Sequence, residues 1–510
     1  MKKLLKPTSY PKALVYSISL NALAKGLVFL VNLLIAFYFG ATAGTDVYFF
    51  CYTAIFLFIN LTSNMNSSVI IPEAMMREGR NGRASFEGFL NRYSLSLLSL
   101  LAVIALIVYS DPIFIFSKIS QFSITTLEEN RLLIILSVPA LICQCISFYL
   151  NDVLTSRRYF TLPMLISAIN GLVVILFVVL GHDRFGIPSI MWGNILGFSL
   201  GIGIQLFILL KLVHWKFILT GETFGKQVWR NLTFTNMGYL ATIASAFLPM
   251  YLLSDYAGGY ITTLSLGLRI AEVPNTMIAT QLASVVGIRF SESYARGQLS
   301  NINEIFLKSG RLLCFLLIPV SVLVYTFSNE IAYLFFGYGG FDEVSRSHIS
   351  QFLEILIIAC PFIGINVLVA RLLMATQKIR VSFYYQIAFN VALALLTIVL
   401  IRTFGPVGYT YAYVALYAIN FVVLAIFLRQ ITEFIQYGKL FPYAVMIGIV
   451  NLLIMIAVLG INQLVETELV YIRLLLAGSV YGALLFMANW MLRLNNDIYE
   501  FLGDLRKKFN

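Results

Sequence analysis

The chain has 510 residues, 59% hydrophobic and 12% charged, with 35 Lys and Arg against 24 Asp and Glu for a formal charge of +11. A soluble domain carries about 45–50% apolar and about 25% charged residues. Disordered chains, secreted disulfide scaffolds and ordinary cytosolic enzymes therefore match poorly, and a membrane-embedded helical bundle fits.

A membrane span needs about 20 mostly apolar residues. The basic start, MKKLLKPTSYPK, leads into an apolar run long enough to span and shows no small-residue cleavage site, so it reads as an uncleaved first helix. In chain order, spans are predicted over 15–39, 47–72, 92–110, 131–153, 162–181, 189–212, 233–254, 260–288, 311–328, 350–374, 381–401, 408–428, 440–460 and 470–493, making fourteen. Span 8 is long enough to hide a break. The longest outer connections, 111–130 and 329–349, leave no room for a soluble domain.

The cations test this map. With the N-terminus inside, 27 of the 35 Lys and Arg fall on inner segments, six on outer ones (Lys118, Arg131, Arg184, Arg346, Arg402, Arg473) and two within spans, Lys25 and Arg269. That is the positive-inside bias, and it places both termini in the cytoplasm. The five cysteines (Cys51, Cys143, Cys145, Cys314, Cys360) lie in apolar runs without zinc spacing and read as structural thiols. The histidines are scattered, so no metal site is expected.

TSRRYFTLPMLISAIN after span 4 and ATQKIRVSFYYQIAFN after span 10 each place a basic turn before a helix that reaches Asn (Asn170, Asn390) at the same offset. Spans 1–6 and 7–12 then form two six-helix repeats of like orientation around a central cavity, with two C-terminal helices added. The corresponding bounds are 1–230, 231–430, and 431–510 for the extra pair and basic tail.

A cation at a helix centre costs about 2.5–3.5 kcal/mol on insertion scales. Lys25 lies near the middle of span 1. Arg269 lies in span 8 with Glu272 one turn later, close enough to pair on one face. Two readings stand: a self-neutralised pair with Lys25 snorkelling to the interface, or three groups lining a hydrated cavity that holds an anionic substrate. Asn60, Asn64, Asn66, Ser67 and Ser68 make a polar patch in the inner half of span 2, suited either to helix packing or to cavity lining. Asp46 and Glu354 at outer helix starts and Asp152 at an inner end read as solvated helix ends. Asp46, Pro72 and Pro274 are also candidate gating or structural positions. Gly197-x-x-x-Gly201 permits close helix approach.

GETFGKQ (221–227) has the wrong spacing for a phosphate-binding loop. With no nucleotide site, transport would draw on a coupling ion, the membrane potential or a downhill product. The basic inner loops suit anionic lipid rather than nucleic acid.

Several segments together resemble the MurJ/MviN family of lipid-linked precursor flippases, within the multidrug/oligosaccharidyl-lipid/polysaccharide (MOP) exporter superfamily. They are FGATAGTDVYFF (39–50), SSVIIPEAMMREG (67–79), RRYFTLPML, LRIAEVPNTMIATQLASVVGIRFSESYARG (268–297) and LFFGYGGFD (334–342). The resemblance implies two bundles around an alternately opening cavity whose cations hold a diphosphate-linked sugar head. Lys25 falls on a family arginine of span 1 and Arg269 on that of span 8, whereas Val31, Ile59 and Ile288 replace two family arginines and a proline. The resemblance therefore implies a less cationic cavity, which fits lipid II less well and admits another polyprenyl-diphosphate glycan, such as an exopolysaccharide unit.

The resulting expectation is a monomeric, cofactor-free flippase of the bacterial plasma (inner) membrane, with Lys25, Arg269, Glu272, Asn60, Asn64 and Ser67 as substrate-binding residues. A cation-coupled multidrug or metabolite exporter of the same superfamily is the first alternative. A membrane-embedded glycan polymerase or ligase is the second, and would need acidic or histidine groups on a sizeable outer loop.

Overall fold

The computed structural model describes residues 10–219, 224–256, 258–463 and 470–495. The basic start before Tyr10, the tail cations Arg506, Lys507 and Lys508, and residues 221–223 of the GETFGKQ segment lie outside the described residues. Among the described residues there are helices and no strands.

The long helices in the first part of the chain are α1 (Tyr10–Phe39), α2 (Ala43–Asn81), α3 (Arg83–Ser110), α4 (Arg131–Ser156), α5 (Leu162–Phe185), α6 (Pro188–Lys211) and α7 (Lys226–Leu253). Next comes α8, which runs through Tyr260–Pro274, Asn275–Ala279 and Thr280–Ala295. They are followed by α9 (Leu299–Thr326), α10 (Glu343–Ala375), α11 (Ile379–Phe404), α12 (Gly408–Ile431), α13 (Leu440–Gln463) and α14 (Val470–Leu492). A helix occupies each predicted span. Twelve described stretches are long and apolar enough to cross a membrane, and one of them, Ile379–Ile431, holds both α11 and α12 around a tight turn at Gly405–Val407.

Local chemistry sets the boundaries. Gly40 takes φ +62° to end α1. Thr42 then caps α2: its hydroxyl accepts from the Thr45 N–H at 3.2 Å, and the Thr45 hydroxyl accepts from the Thr42 N–H at 2.8 Å. Gly186 and Gly405, both at positive φ, close α5 and α11.

Two helices are wound wider for one turn. In α2 this turn is Asn66–Ile70, directly ahead of Pro72; in α8 it is Asn275–Ala279, directly after Pro274. Proline lacks an N–H and crowds the preceding turn, and an i→i+5 turn beside it absorbs the mismatch without ending the helix. Span 8 therefore carries a widened turn and runs on through it as one continuous helix, not a broken one.

The chain divides into two compact units: 1–262 with 338–342, and 263–337 with 343–510. In the first, α5 packs along α6 and α1, α6 along α4, and α2 along α4 and α7. A stripe of small residues permits this. A Cβ on Gly193 would meet Val174 Cα at 2.8 Å, one on Gly197 would meet Asn170 Cα at 2.9 Å, and one on Gly201 would meet the Ile166 side chain at 2.7 Å. The close approach expected from Gly197 and Gly201 is thus real and extends a turn further back. At one end of this unit Arg157 pairs with Glu78 at 2.9 Å and lies 3.9 Å over the Phe86 ring, while Asn91 holds the chain after α6 through the carbonyls of Lys216 and Ile218.

In the second unit α9 packs along α13, α8 along α10 and α9, and α11 along α12. The C-terminal pair shares a core of Ile454, Met455, Val458, Ala477 and Tyr481 with Phe327. Within it the Tyr481 hydroxyl donates to Asn451 Oδ1 at 2.6 Å.

Candidate transport site

On α1, Ala24 is buried and Lys25 beside it is exposed, so the helix turns its cation away from the packed face. On α2 the widened turn splits the polar patch. Asn66 is buried and donates to Asp152 Oδ2 of α4 at 2.8 Å, whereas Ser67 and Ser68 are exposed and bond back to Asn64 of their own helix. Asn60 and Asn64 are half-buried. Asp152 is therefore a half-buried packing acceptor rather than a solvated helix end.

In the second unit Arg269 is half-buried on α8 and acts electrostatically on Glu272, which is exposed one turn later. Three tyrosines of α12 that the sequence reading passed over, Tyr409, Tyr413 and Tyr417, lie within electrostatic reach of Glu272. Their rings form a row, with centroids 5.8 Å and 4.9 Å apart. Their spacing of four residues along GYTYAYVALY was legible, but the same spacing serves an ordinary packed face. Pro274 is followed by the buried Asn275, which Gly364 of α10 accommodates. Glu354 lies three turns inside α10, half-buried beside Tyr325, and not at a solvated helix start.

One end of the first unit is a knot of three turns. Asp46, expected to be solvated, is 2% exposed. Its carboxylate accepts from the Gly259 N–H at 2.6 Å, the Thr262 N–H at 2.7 Å and the Thr262 hydroxyl at 2.6 Å. Three donors compensate the burial of one charge, and the anion sits where the first turn of α8 presents unpaired N–H groups. Around it the backbones touch. A Cβ on Gly258 would fall 2.7 Å from Ala43 N, and one on Gly259 2.9 Å from the Ala41 carbonyl oxygen. The Gly340 N–H donates to the Phe37 carbonyl at 2.6 Å. The FGATAGTD and GYGG segments, some 300 residues apart in sequence, thus meet through glycine.

Among the described residues no group of His, Cys, Asp or Glu could hold a metal ion, and all five cysteines are free thiols.

Helices long enough to span a bilayer, with cations, carboxylates and hydroxyls inside the spans, define a polytopic membrane transporter. A family model described as lipid II flippase MurJ matches residues 35–479, and the chain belongs to that family, one of membrane flippases and not of enzymes. A probable lipid II flippase MurJ of Borreliella burgdorferi is 21% identical over 370 residues, 70% of this chain and 71% of the relative. The solved structure of a lipid II flippase MurJ in an inward closed conformation shares the fold with TM-score 0.80 at 19% identity, over 94% of this chain and 99% of that one. An inward-facing multidrug resistance MATE family transporter of the MOP superfamily shares it at TM-score 0.59 and 13% identity, over 81% of this chain and 95% of that one.

Proposed function

We propose that the chain carries a polyprenyl-diphosphate-linked glycan precursor, lipid II or a related cell-envelope unit, across the bacterial plasma membrane by alternating access. The carrying observation is the pair of intramembrane cations, Lys25 on an accessible face of α1 and Arg269 on α8, in a member of this family. Fixed cations inside spans are costly unless they meet water or an anion, and a diphosphate is such an anion. Asn60, Asn64, Ser67 and Glu272 would complete the polar lining, with Asp46, Pro72 and Pro274 acting on the geometry of the spans. The same reading has two repeats (1–230 and 231–430) with the pair at 431–510 appended, both termini cytoplasmic, a monomer without nucleic-acid partner or bound cofactor, and drive from a coupling ion or the membrane potential.

Labelling of lipid-linked glycan from outside the cell tests this: depletion of the protein is expected to remove the outward-exposed pool while the total pool persists. The likeness of fold to a MATE transporter favours one second reading, a cation-coupled exporter. In that case depletion would leave the outer pool unchanged and raise sensitivity to cationic drugs.

A further inference from the structure

We propose that the second unit holds an anion site distinct from Lys25 and Arg269, formed where Arg371 of α10 crosses the C-terminal half of α8, and that its ligand is a phosphate-bearing group. A pocket of about 270 Å³ lies there, lined on α8 by Ser284, Gly287, Ile288 and Ser291 and on α10 by Arg371. Residues 284, 287, 288 and 291 share one helical face.

Gly287 lies beneath the Arg371 stem. A Cβ there would sit 3.5–3.7 Å from the Cβ, Cγ and Cδ of Arg371, so the arginine stem lies directly across the glycine. Arg371 and the two serines line the same pocket. Their hydroxyls rest on backbone carbonyls of their own helix, Ser284 on Thr280 at 2.7 Å and Ser291 on Gly287 at 3.0 Å, and either can turn to a ligand oxygen. Arg371 is exposed and takes part in none of the ion pairs among the described residues.

An unpaired arginine fork flanked by hydroxyls matches the planar, bidentate recognition of phosphate oxygens. Sites that enclose whole drug-sized ligands run to about 300–1,000 Å³, so this pocket suits a phosphate or diphosphate rather than a complete glycan. In the orientation proposed above it opens at the cytoplasmic end, within reach of lipid headgroups and of soluble phosphates, which present the same chemistry. The site does not depend on the assignment of Lys25 and Arg269.

The test is calorimetric titration of the full chain, in phosphatidylcholine nanodiscs, with inorganic pyrophosphate. Saturable binding is expected. Arg371→Gln should weaken it about tenfold, the loss of a charge-assisted hydrogen-bond pair, and Arg371→Lys should restore part of it. Gly287→Leu should weaken it similarly by filling the pocket. Gly287→Ala, whose added Cβ makes only ordinary contacts, should leave it intact. The Lys25→Ala/Arg269→Ala double variant loses whatever pyrophosphate the transport cations hold, but it should keep the component of binding that Arg371→Gln and Gly287→Leu weaken, which separates this site from the transport reading. Repeating the titration with phosphatidylglycerol in the disc assigns the source: competition marks a lipid headgroup, and its absence a soluble phosphate. The proposal is overturned if pyrophosphate does not bind, if Arg371→Gln and Gly287→Leu bind it normally, or if the double variant loses the component that depends on Arg371.

Discussion

Asp46 holds Thr262 twice, at 2.7 Å through the backbone N–H and at 2.6 Å through the hydroxyl, across 216 residues of sequence. Removing the carboxylate leaves these donors and the Gly259 N–H buried without an acceptor, a cost of about 2–4 kcal/mol against the joined arrangement. Asp46→Ala should therefore speed hydrogen exchange at the Gly259 and Thr262 amides by at least about tenfold. Unchanged protection at both amides would mean the carboxylate does not hold this turn.

The glycines of the same knot are expected to differ from a glycine that only needs its dihedral. Gly339 has φ +84°, and a Cβ on it would strike the Phe37 backbone; Gly82 has φ +80° and nothing within 4 Å. Gly82 also has ψ −179°, a backbone region open almost only to glycine, so alanine there should cost about 1–3 kcal/mol of strain alone. Alanine at Gly339 adds an overpacking term of about 1–3 kcal/mol. Thermal unfolding of the purified variants should rank Gly339→Ala clearly below Gly82→Ala, and equal shifts would refute the backbone-contact account.

Much of this architecture is legible in the residues because a bilayer leaves few choices. Apolar runs must be helical to satisfy their backbone, so the spans follow from hydropathy, and Pro72 and Pro274 mark where α2 and α8 are distorted. The distortion itself was less legible. A widened turn adds one residue and shifts the face that follows, while Asn66 at its start turns to α4 and Ser67 and Ser68 do not because successive helix residues point about 100° apart. Asp46 was misread for a different reason. An acidic residue in the first turn of a helix looks the same whether water or a distant backbone satisfies it, and its partners lie more than 200 residues away. The tyrosine row on α12 shows the converse limit, since its periodicity is plain but not what it faces.

Helix α6 offers a test in which one substitution type should act in opposite directions. Gly197 has no room, since a Cβ would fall 2.9 Å from Asn170 Cα, whereas Gly203 has nothing within 4 Å. Gly197→Ala should destabilise by about 1–3 kcal/mol as α5 and α6 are forced apart. Gly203→Ala, six residues on, should stabilise by about 0.5–1 kcal/mol through helix propensity alone. Urea or thermal denaturation in one detergent compares them directly. A stabilising Gly197→Ala would show that α5 and α6 are not in close contact.

The cations divide the structural and transport readings of α8. If Arg269 and Glu272 served only to neutralise each other, removing either would leave a lone charge in the span, and both variants would lose stability to a similar degree. If Arg269 holds an anionic cargo, Arg269→Ala should abolish complementation at normal membrane levels. Glu272→Gln, which removes a negative charge from the same lining, should retain it. Lys25→Ala should behave as Arg269→Ala does, and Lys25→Arg should remain active because the charge is kept. Complementation of a depleted strain, scored beside immunoblots of the membrane fraction, reads all four. Full activity in both Lys25→Ala and Arg269→Ala would remove these residues from the cargo site, whatever the cargo is.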